Sequence, residues 1–306
     1  MTDDLAPVSV VIAAYNAEKT LGAAVASALG QGVRPAQVIV VDDGSQDGTA
    51  SVAASFPEVL LVKQDNQGPS AARNTGIANV TQPWVAFLDA DDVWLPDKMT
   101  RQLAASARHP SAVLLAGDWV RTFDESRAAE STTRTAATGE TLMGYGDVLV
   151  LNRFQTSTVL VRTEVLRTCG GFDPALDGAE DWDMWLRCAA QGDIVKLDTP
   201  LVIYRDEPTG YSKNLVRLYD RMLVMLDRER RDTPLSKAAF ARVLTWHHLR
   251  FAVAFAQARQ PDQARRAVRE LRSAGLTRYV PAATVTYLAP FLGGRVVRRL
   301  RRPRGI

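Results

Sequence analysis

The stretch WVAFLDADDVW (residues 84–94) joins an apolar run to three carboxylates, those of Asp89, Asp91 and Asp92. The same order, with apolar and β-branched residues first and acids directly after, occurs in VIVVDDGSQDGT (residues 38–49). Continuous apolar runs of this length are typical of strands buried on both faces of a parallel sheet. We therefore expect the acids at the carboxyl ends of strands, where open α/β sheets bind their ligands.

Segments typical of strands and helices alternate along the first two thirds of the chain. We expect strands at residues 8–13, 38–41, 59–62, 84–88, 113–116, 156–161, 194–197 and 201–204. Helices are expected at residues 17–29, from Asp47 or Thr49 to 56, at 69–79, from near Pro96 to 108, and at 180–190. This alternation predicts an α/β fold with a mostly parallel central sheet flanked by helices. Residues 121–146 are polar and aperiodic, which favours a loop with short elements.

Beyond residue 213 the pattern changes to long amphipathic helices, at residues 214–231, 236–259, 261–274 and 284–301. We expect two domains, residues 1–212 and residues 213–306. The charge changes at the same place, because the net charge is +14 from Leu215 onward and −11 before it. An acidic first domain suits a metal site, and a basic tail suits contact with anionic surfaces.

The bulk composition is that of an ordinary globular protein, with 46% hydrophobic and 23% charged residues. Cys169 and Cys188 are too few for a disulfide framework and lack the spacing of metal ligands, so we expect reduced thiols. No stretch reaches the ~18 apolar residues that a membrane-spanning helix needs. No basic region precedes the short apolar stretch near residue 8, as it would in a signal peptide. We expect a cytoplasmic protein.

Carboxylates gathered at one sheet edge repel each other unless a cation joins them. Mg²⁺ and Mn²⁺ prefer oxygen ligands, take one or two protein carboxylates and complete their shell with phosphate and water. A third acidic cluster, Glu180, Asp181 and Asp183 in GAEDWDMW, begins a predicted helix, where the helix dipole alone would also favour acids. The residues therefore favour a divalent-metal site for a phosphorylated substrate.

Five segments in a fixed order carry a resemblance to a known family: VSVVIAAYN, VVDDGSQDGT, GPSAARNTG, FLDADD, and GGFD followed by EDWDMWLR. Together they resemble the family 2 glycosyltransferases with the GT-A fold, over residues 7–205. The resemblance implies an inverting enzyme that moves one sugar from a nucleoside diphosphate sugar, of the UDP or dTDP type, to a hydroxyl. The implied acceptor is a glycan or a lipid-linked intermediate in cell-envelope polysaccharide or glycoconjugate synthesis.

The resemblance also implies a donor site. The residues it assigns to the nucleotide sugar are Ala13, Tyr15, Asp42, Asp43, Gly68, Arg73, Asn74, Asp89 and Ala90. In this assignment Tyr15 stacks near the base, which is worth ~1–3 kcal/mol, Asp43 accepts a hydrogen bond from the base, and Asp42 shapes the turn. Two interpretations of Arg73 stay open: contact with the diphosphate beside a helix N-terminus, or a tie between that helix and an acidic loop.

The metal and the base are likewise implied by the resemblance. Mn²⁺ or Mg²⁺ would be held by Asp91 of the Asp-x-Asp pair, with Asp92, Asp89 and Glu207 as further ligands, while Asp89 also meets the ribose. Asp181 matches the general base, which removes the proton of the acceptor hydroxyl. Glu180 would assist this base or bind the acceptor.

Two features depart from the family pattern. Family members often carry a histidine in a Tyr-Arg-x-His-Pro segment, whereas this chain reads YRDEP at residues 204–208 and has Glu207 in that place, which puts metal affinity in doubt. The Gln-x-x-Arg-Trp signature of the processive members does not occur. Residues 284–306 suit either contact with an anionic membrane or a docked terminal helix, a homodimer stays open, and no nucleic-acid partner is expected.

Three other classes of protein fit less well. A dinucleotide-dependent oxidoreductase would carry Gly-x-Gly-x-x-Gly after the first strand, where this chain reads AAYNAEK. A sugar-phosphate nucleotidyltransferase would carry a glycine-rich, basic turn at the same place. A non-catalytic module that only binds sugar nucleotides stays open because of Glu207.

Overall fold

The computed structural model describes residues 5–122, 139–205 and 214–288. The chain folds as two compact units, Met1–Gly210, called the sheet unit, and Tyr211–Ile306, called the helical unit. The division predicted between residues 212 and 213 falls outside the described residues and stays a prediction.

A single sheet organises the sheet unit. Its strands are β1 Ala6–Ala14, β2 Pro35–Asp43, β3 Val59–Gln64, β4 Trp84–Asp89, β5 Val93–Trp94, β6 Ala112–Thr122, β7 Glu140–Met143, β8 Leu160–Arg162 and β9 Asp193–Arg205. Their order is β3-β2-β1-β4-β8-β6-β9-β5, and β7 also pairs with β9. Strands β3, β2, β1 and β4 run parallel, whereas β8 is antiparallel to both of its neighbours.

Helices cover this sheet. They are α1 Leu21–Leu29, α2 Thr49–Ala54, α3 Pro69–Ala78, α4 Lys98–Arg108, α5 Tyr145–Val150, α6 Thr163–Thr168 and α7 Glu180–Ala189. The core beneath them consists of the apolar runs that the sequence assigned to strands, and Val10, Ile12, Val40 and Leu88 are at most 1% exposed. The α/β architecture with a central sheet and flanking helices is therefore as predicted.

The parallel register places the acidic clusters at one edge of the sheet. Ala14 at the end of β1 pairs with Asp42 of β2, and Ala13 pairs with Asp89 of β4. Because neighbouring strands lie about 4.8 Å apart, the two acids stand on either side of β1 at the carboxyl ends of the strands. The predicted convergence of the first two clusters is thus a consequence of strand pairing.

Three predicted strands differ from the structure. Residues 156–161 were expected as one strand, but Thr156–Thr158 form a 3₁₀ turn and only β8 is extended. The reason is local hydrogen bonding, since Thr158 Oγ1 donates to the Gln155 carbonyl at 2.7 Å and such side-chain bonds compete with a strand ladder. The strands expected at 194–197 and 201–204 are one strand, β9.

The region expected as a loop with short elements, residues 121–146, contains the last residues of β6, the short strand β7 and the first residues of α5, and residues 123–138 lie outside the described part. Helix α1 begins at Leu21 rather than at residue 17. The backbone N–H groups of Ala17 and Glu18 instead donate to Thr49 Oγ1 and Asp47 Oδ2, at 2.8 and 3.2 Å. These bonds hold the segment after β1 against the segment after β2.

The helical unit consists of α8 Leu215–Asp232, α9 Lys237–Gln257, α10 Pro261–Ser273 and α11 Val280–Ala283, followed by a π-helical turn Thr284–Leu288. Asn214 and Ser236 cap α8 and α9 through their side chains, as helix N-termini require. Of the helix expected at 284–301, only residues 284–288 lie in the described part. None of the helices described here has the length and apolar character needed to cross a bilayer.

Candidate active site

Arg73 joins two of the acidic clusters. Its guanidinium donates from Nη2 to Asp89 Oδ1 at 2.9 Å and from Nη1 to Glu180 Oε1 at 3.0 Å. Arg73 is only 7% exposed, and its guanidinium lies 5.4 Å from the ring centre of Phe172. Burial alone would lower the pKa of Arg73, but the charges of Asp89 and Glu180 outweigh it and raise that pKa. The side chain is therefore a permanent cation between the end of β4 and the start of α7.

This contact bears on the two open interpretations of Arg73. The structure contains the tie between helix α3 and an acidic segment. A contact with a diphosphate is not shown and stays a prediction. Glu180 is held on both oxygens, because the backbone N–H of Gly178 donates to Oε2 at 2.6 Å. Glu180 is 8% exposed, so these contacts favour a positioning role over direct contact with an acceptor.

Ser157 connects the carboxylate of Asp92 to the backbone of Asp89 at the end of β4. Its hydroxyl donates to Asp92 Oδ2 at 2.5 Å and accepts from the backbone N–H of Asp89 at 3.0 Å. The other Asp92 oxygen accepts from the backbone N–H of Arg205 at 3.2 Å. Asp92 is 1% exposed, and burial, followed by the charges of Asp89 and Asp91, raises its pKa to about 8. These contacts do not favour Asp92 as a metal ligand, and that role stays a prediction.

The predicted metal site can be tested against this arrangement. Across residues 5–122, 139–205 and 214–288, no group of three or more histidine, cysteine or acidic side chains forms a metal-binding set. Glu207 lies outside the described residues. Asp91 is partly exposed beside Asp89 and Asp92. One such carboxylate fits Mg²⁺ or Mn²⁺ when phosphate oxygens and water complete the shell, as in sites where the metal arrives with its substrate.

Asp42 and Asp43 at the end of β2 have separate local roles. Asp42 Oδ1 accepts from the backbone N–H of Ser45 at 3.0 Å and so shapes the turn. Asp43 accepts from Gln64 Nε2 and the backbone N–H groups of Gln67 and Gly68, at 2.7, 3.0 and 2.8 Å. Asp43 is 3% exposed, so its carboxylate mainly fixes the loop before α3, and a bond to a nucleobase stays a prediction.

The N-terminus of α3, expected beside a diphosphate, carries a carboxylate of the chain itself. Ser70 Oγ donates to Asp177 Oδ1 at 2.5 Å. A Cβ at Gly68, which has φ of +89°, would lie 3.0 Å from Asp177 Oδ2. Asn74 binds the backbone of Phe172 twice, donating to its carbonyl at 2.8 Å and accepting from its N–H at 2.7 Å. Helix α3 therefore anchors the segment that leads into α7.

Asp181, the predicted base, opens α7 next to this network. Its Oδ1 accepts from the backbone N–H of Trp182 at 2.6 Å, and its Oδ2 accepts from Asn152 Nδ2 at 3.2 Å. The side chain is partly exposed. Burial, followed by the charge of Glu180, raises the pKa of Asp181 to about 7, against the opposing effect of Arg73. A carboxylate with this pKa accepts a proton readily near neutral pH.

The other predicted donor residues lie at the same edge of the sheet. Tyr15 follows β1 and is 50% exposed, so it does not pack as a core residue. Ala13 is partly exposed and Ala90 is 8% exposed. Both leave room beside Asp89, because neither carries a side chain beyond Cβ. No nucleotide contact is shown for any of them, and their roles stay predictions.

Ser157, Asn152 and Asp177 are site residues that the sequence reasoning missed. Ser157 lies 68 positions from Asp89 and Asn152 lies 29 positions from Asp181. Neither belongs to a motif with recognisable spacing. For Asp177 a signal existed, because it lies in the acidic segment between GGFD and EDWD, but nothing local identified Ser70 as its partner.

The chain matches the model of the family described as "Glycosyl transferase family 2" over residues 9–169, more than half of its length. It therefore belongs to glycosyl transferase family 2, as the ordered motifs indicated. The matched residues span β1 to the end of α6 and include the Asp89, Asp91 and Arg73 positions.

Two curated relatives are similar over part of the chain. The succinoglycan biosynthesis protein ExoO of Rhizobium meliloti is 38% identical over 138 residues, which is 42% of this chain and 40% of ExoO. The Escherichia coli UDP-Glc:alpha-D-GlcNAc-diphosphoundecaprenol beta-1,3-glucosyltransferase WfgD is 34% identical over 100 residues, which is 32% of this chain and 40% of WfgD. The aligned segment thus spans less than half of either relative.

A solved structure is similar over nearly the whole chain. The mannosyltransferase PcManGT from Pyrobaculum calidifontis, in complex with GDP-Man and Mn²⁺, superposes with a TM-score of 0.62 and 21% identity, covering 98% of this chain and 91% of that one. At this identity the likeness concerns the fold alone. It confirms the expected GT-A architecture with additional C-terminal helices.

Proposed function

We propose that this protein is an inverting, metal-dependent glycosyltransferase that moves a single sugar from a nucleoside diphosphate sugar to an acceptor hydroxyl. The observation that carries the proposal is a contact that links the predicted donor-binding residues to the predicted base. Asp89 of the Asp-x-Asp pair and the helix that begins Glu180-Asp181 share one buried guanidinium, that of Arg73. A donor at the sheet edge would therefore lie next to the base.

Asp181 would supply the proton acceptor. Its pKa of about 7 keeps a large fraction ionised at neutral pH and makes the protonated form accessible once the acceptor has reacted. The amide of Asn152 and the N–H of Trp182 each bind one oxygen, which leaves further lone pairs for an incoming hydroxyl. Attack from the face opposite the leaving group would invert the anomeric centre.

The remaining residues would hold and orient the donor. Tyr15 offers an exposed aromatic face to the base, at ~1–3 kcal/mol for a stacked base. Asp91 would hold the divalent metal together with the donor diphosphate, and the bound metal would neutralise charge on the departing nucleoside diphosphate. Arg73 and Ser157 would keep Asp89 fixed, because each binds a different atom of that residue.

The relatives support the wider setting. ExoO is a succinoglycan biosynthesis protein, the name of WfgD specifies UDP-Glc and a diphosphoundecaprenol-linked acceptor, and PcManGT was solved with GDP-Man and Mn²⁺. On this basis we propose a glycan or lipid-linked acceptor in cell-envelope polysaccharide or glycoconjugate synthesis, and Mn²⁺ or Mg²⁺ as the metal. A cytoplasmic location fits such a reaction, with membrane contact through residues 284–306 as a further part of the proposal.

The proposal is tested by combining binding and turnover. Melting temperatures are measured with UDP, dTDP and GDP, each with and without Mn²⁺, since a ligand that binds the native state raises its stability. Release of the nucleoside diphosphate from the matching sugar donors is then followed. We expect one nucleotide to stabilise the protein more with Mn²⁺ than without, and its sugar donor to be turned over. Binding without any turnover across the donor panel would instead identify a non-catalytic module.

A further inference from the structure

The helical unit contains a cavity that the proposed sugar transfer does not use. Its volume is about 220 Å³. One part of the lining is apolar and consists of Leu223, Leu226, Leu244 and Ala274. The polar part includes His248, whose side chain is otherwise buried at 4% exposure. A cavity with an apolar wall and few converging polar groups has the general character of a small-molecule site.

His248 is the end of a hydrogen-bonded relay that joins three helices. Its Nδ1 lies 2.7 Å from the hydroxyl of Tyr219, which comes from α8 and is fully buried. The Tyr219 hydroxyl donates to Oε2 of Glu270, from α10, at 2.7 Å. Arg266 donates from Nε to the other oxygen of Glu270 at 2.8 Å. The relay therefore joins two residues of the cavity lining, His248 and Glu270, and Glu270 is also paired with the guanidinium of Arg266.

This order determines which nitrogen of His248 carries the proton. An ionised carboxylate only accepts, so the single proton of the Tyr219 hydroxyl points to Glu270. The Tyr219 oxygen is then an acceptor, and Nδ1 of His248 must be the donor. Burial lowers the pKa of His248 against the opposing charge of Glu270, which keeps the ring neutral. In a neutral ring with a proton on Nδ1, Nε2 holds a free lone pair.

Nε2 has no hydrogen-bond partner among the residues that the structure describes, and it is not one of the fully enclosed unpaired atoms. His248 lines the cavity and its Nδ1 is bonded to Tyr219, so we infer that Nε2 is the nitrogen that the ring offers to a ligand there. Asp227 and Arg230, which also line the cavity, pair with each other at 2.9 Å and are about 60% exposed. Their charges offset each other, and the oxygens of Glu270, a further lining residue, are bonded to Tyr219 and Arg266. The strongest unused group of the lining is therefore the His248 acceptor.

Burying these polar groups between helices costs free energy. Placing a histidine, a tyrosine hydroxyl and a carboxylate between helices requires desolvating each of them, whereas apolar side chains would fill the same space without that cost. Packing alone therefore does not account for a directed relay that ends in a lone pair at a cavity.

We propose that this cavity binds a small amphiphilic hydrogen-bond donor, an alcohol or a primary amine. Nε2 of His248 accepts the O–H or N–H bond of the head group, and the hydrocarbon part lies against the leucine side chains. The proposed site consists of residues of the helical unit and does not depend on the proposed function.

The test uses the full chain with ¹⁵N-labelled histidine rings, which gives signals from three histidines, of which His109 and His247 serve as internal references. Cyclohexanol, cyclohexylamine and methylcyclohexane are titrated separately. We expect Nε2 of His248 to show the shift of an unprotonated nitrogen and to move saturably with cyclohexanol or cyclohexylamine but not with methylcyclohexane. Binding of the amine alone identifies a cationic head group, and binding of the alcohol identifies a neutral one.

A matched pair of variants provides the control. Ala274→Leu narrows the cavity while keeping every member of the relay and should weaken binding about tenfold, or about 1.4 kcal/mol. Ala256→Leu adds the same side chain at an exposed position of α9 outside the lining and should leave the titration unchanged. A protonated Nε2, no saturable shift with either donor, or an equal response to methylcyclohexane would overturn the proposal.

Discussion

The two units each bury a polar cluster, and the two clusters are built differently. In the sheet unit, Arg73 is a cation held between the carboxylates of Asp89 and Glu180. In the helical unit, the neutral hydroxyl of Tyr219 lies between His248 and Glu270. The first cluster is ionic and stands beside the residues proposed for sugar transfer. The second is a chain of hydrogen bonds whose two ends, His248 and Glu270, both line a cavity.

The difference in charge predicts how much each cluster contributes to the stability of its unit. Removing one member of a buried ion pair leaves an uncompensated charge and costs about 3–5 kcal/mol, whereas an unpaired neutral donor costs about 1–3 kcal/mol. The ionic cluster should therefore control both the stability and the chemistry of the sheet unit. The relay should contribute less to the stability of its unit, which agrees with the binding role proposed for it.

The largest effect is expected where the ionic cluster meets the base. Asp181→Asn removes the proton acceptor while keeping the size of the side chain and one acceptor oxygen, so turnover should fall about 10²–10⁴-fold. Donor affinity, measured by calorimetry, should stay within about twofold of the wild type, since ~0.4 kcal/mol covers that range. Asp183→Asn is a nearby comparison, as Asp183 bonds to Arg187 rather than to Asn152. A turnover rate unchanged in Asp181→Asn removes the base assignment.

The next effect concerns stability. Arg73→Met leaves Glu180 buried without its cation, and the free energy of unfolding of the sheet unit should fall by about 3–5 kcal/mol, measured by urea denaturation. Arg101→Met provides the matched control, because the Arg101–Asp97 pair is about half exposed and should matter by under ~0.5 kcal/mol. A neutral hydrogen bond contributes ~1 kcal/mol. If Arg73→Met lowers the free energy of unfolding by less than that, the cluster does not behave as a buried ion pair.

Metal binding comes third. If Asp91 holds the metal with the donor, Asp91→Ala should abolish the extra stabilisation of the protein that Mn²⁺ adds to that of a nucleoside diphosphate alone. A ligand at a hundredfold excess over its dissociation constant stabilises the native state by about 2.7 kcal/mol. The exposed Asp97→Ala variant should retain it. The measurement is the melting temperature with nucleotide alone and with nucleotide plus Mn²⁺. An Mn²⁺ effect that persists in Asp91→Ala would move the metal to other residues.

The pH dependence follows from Asp181. Its folded-state pKa of about 7 is raised above the ordinary aspartate value, so kcat/KM should fall tenfold per unit below pH 7 as the base becomes protonated. The raised pKa makes activity increase with pH but makes the free energy of unfolding decrease with pH. A carboxyl that stays protonated longer in the folded state than in the unfolded state loses stability as pH rises from about 4 to 7. Asp181→Asn should therefore be more stable than wild type at pH 8, with the difference gone at pH 4. Equal stabilities at pH 8 would show that the pKa is not raised.

The smallest effect belongs to the relay. Tyr219→Phe removes the hydroxyl between His248 and Glu270 and should cost about 1–3 kcal/mol in the helical unit, measured by denaturation followed through tryptophan fluorescence. Donor turnover should not change. A cost as large as that of Arg73→Met would mean that the two clusters do not differ in the way their charges indicate.

Much of the fold was predictable from the sequence because the pattern is strong there. The apolar runs before Asp42 and Asp89 are long enough to identify β2 and β4, and parallel pairing then brings the acids to one edge. The turn at residues 156–158 was not predictable, because Thr and Ser occur in both strands and turns, and the bond from Thr158 Oγ1 to the Gln155 carbonyl is seen only in the fold.

The sequence motifs indicated candidate site residues, but they did not indicate which groups those residues contact. Family motifs indicated Asp91 and Asp181 as candidates, but only the fold reveals that Asp43 and Asn74 bind backbone groups and that Asp177 occupies the start of α3. Partners such as Asn152 come from segments without a motif. The relay of the helical unit had no sequence signal at all, since its three members are separated by 29 and 51 positions from Tyr219.

The most direct test of the account is the stereochemistry of transfer. An α-linked nucleoside diphosphate sugar that the protein turns over is supplied with Mn²⁺, and the anomer formed first, in the acceptor product or in the sugar released to water, is identified by ¹H NMR during early turnover. Asp181 acting as a base on the face opposite the leaving group predicts the β anomer, and its formation should disappear in Asp181→Asn. An α anomer formed first would contradict the central claim.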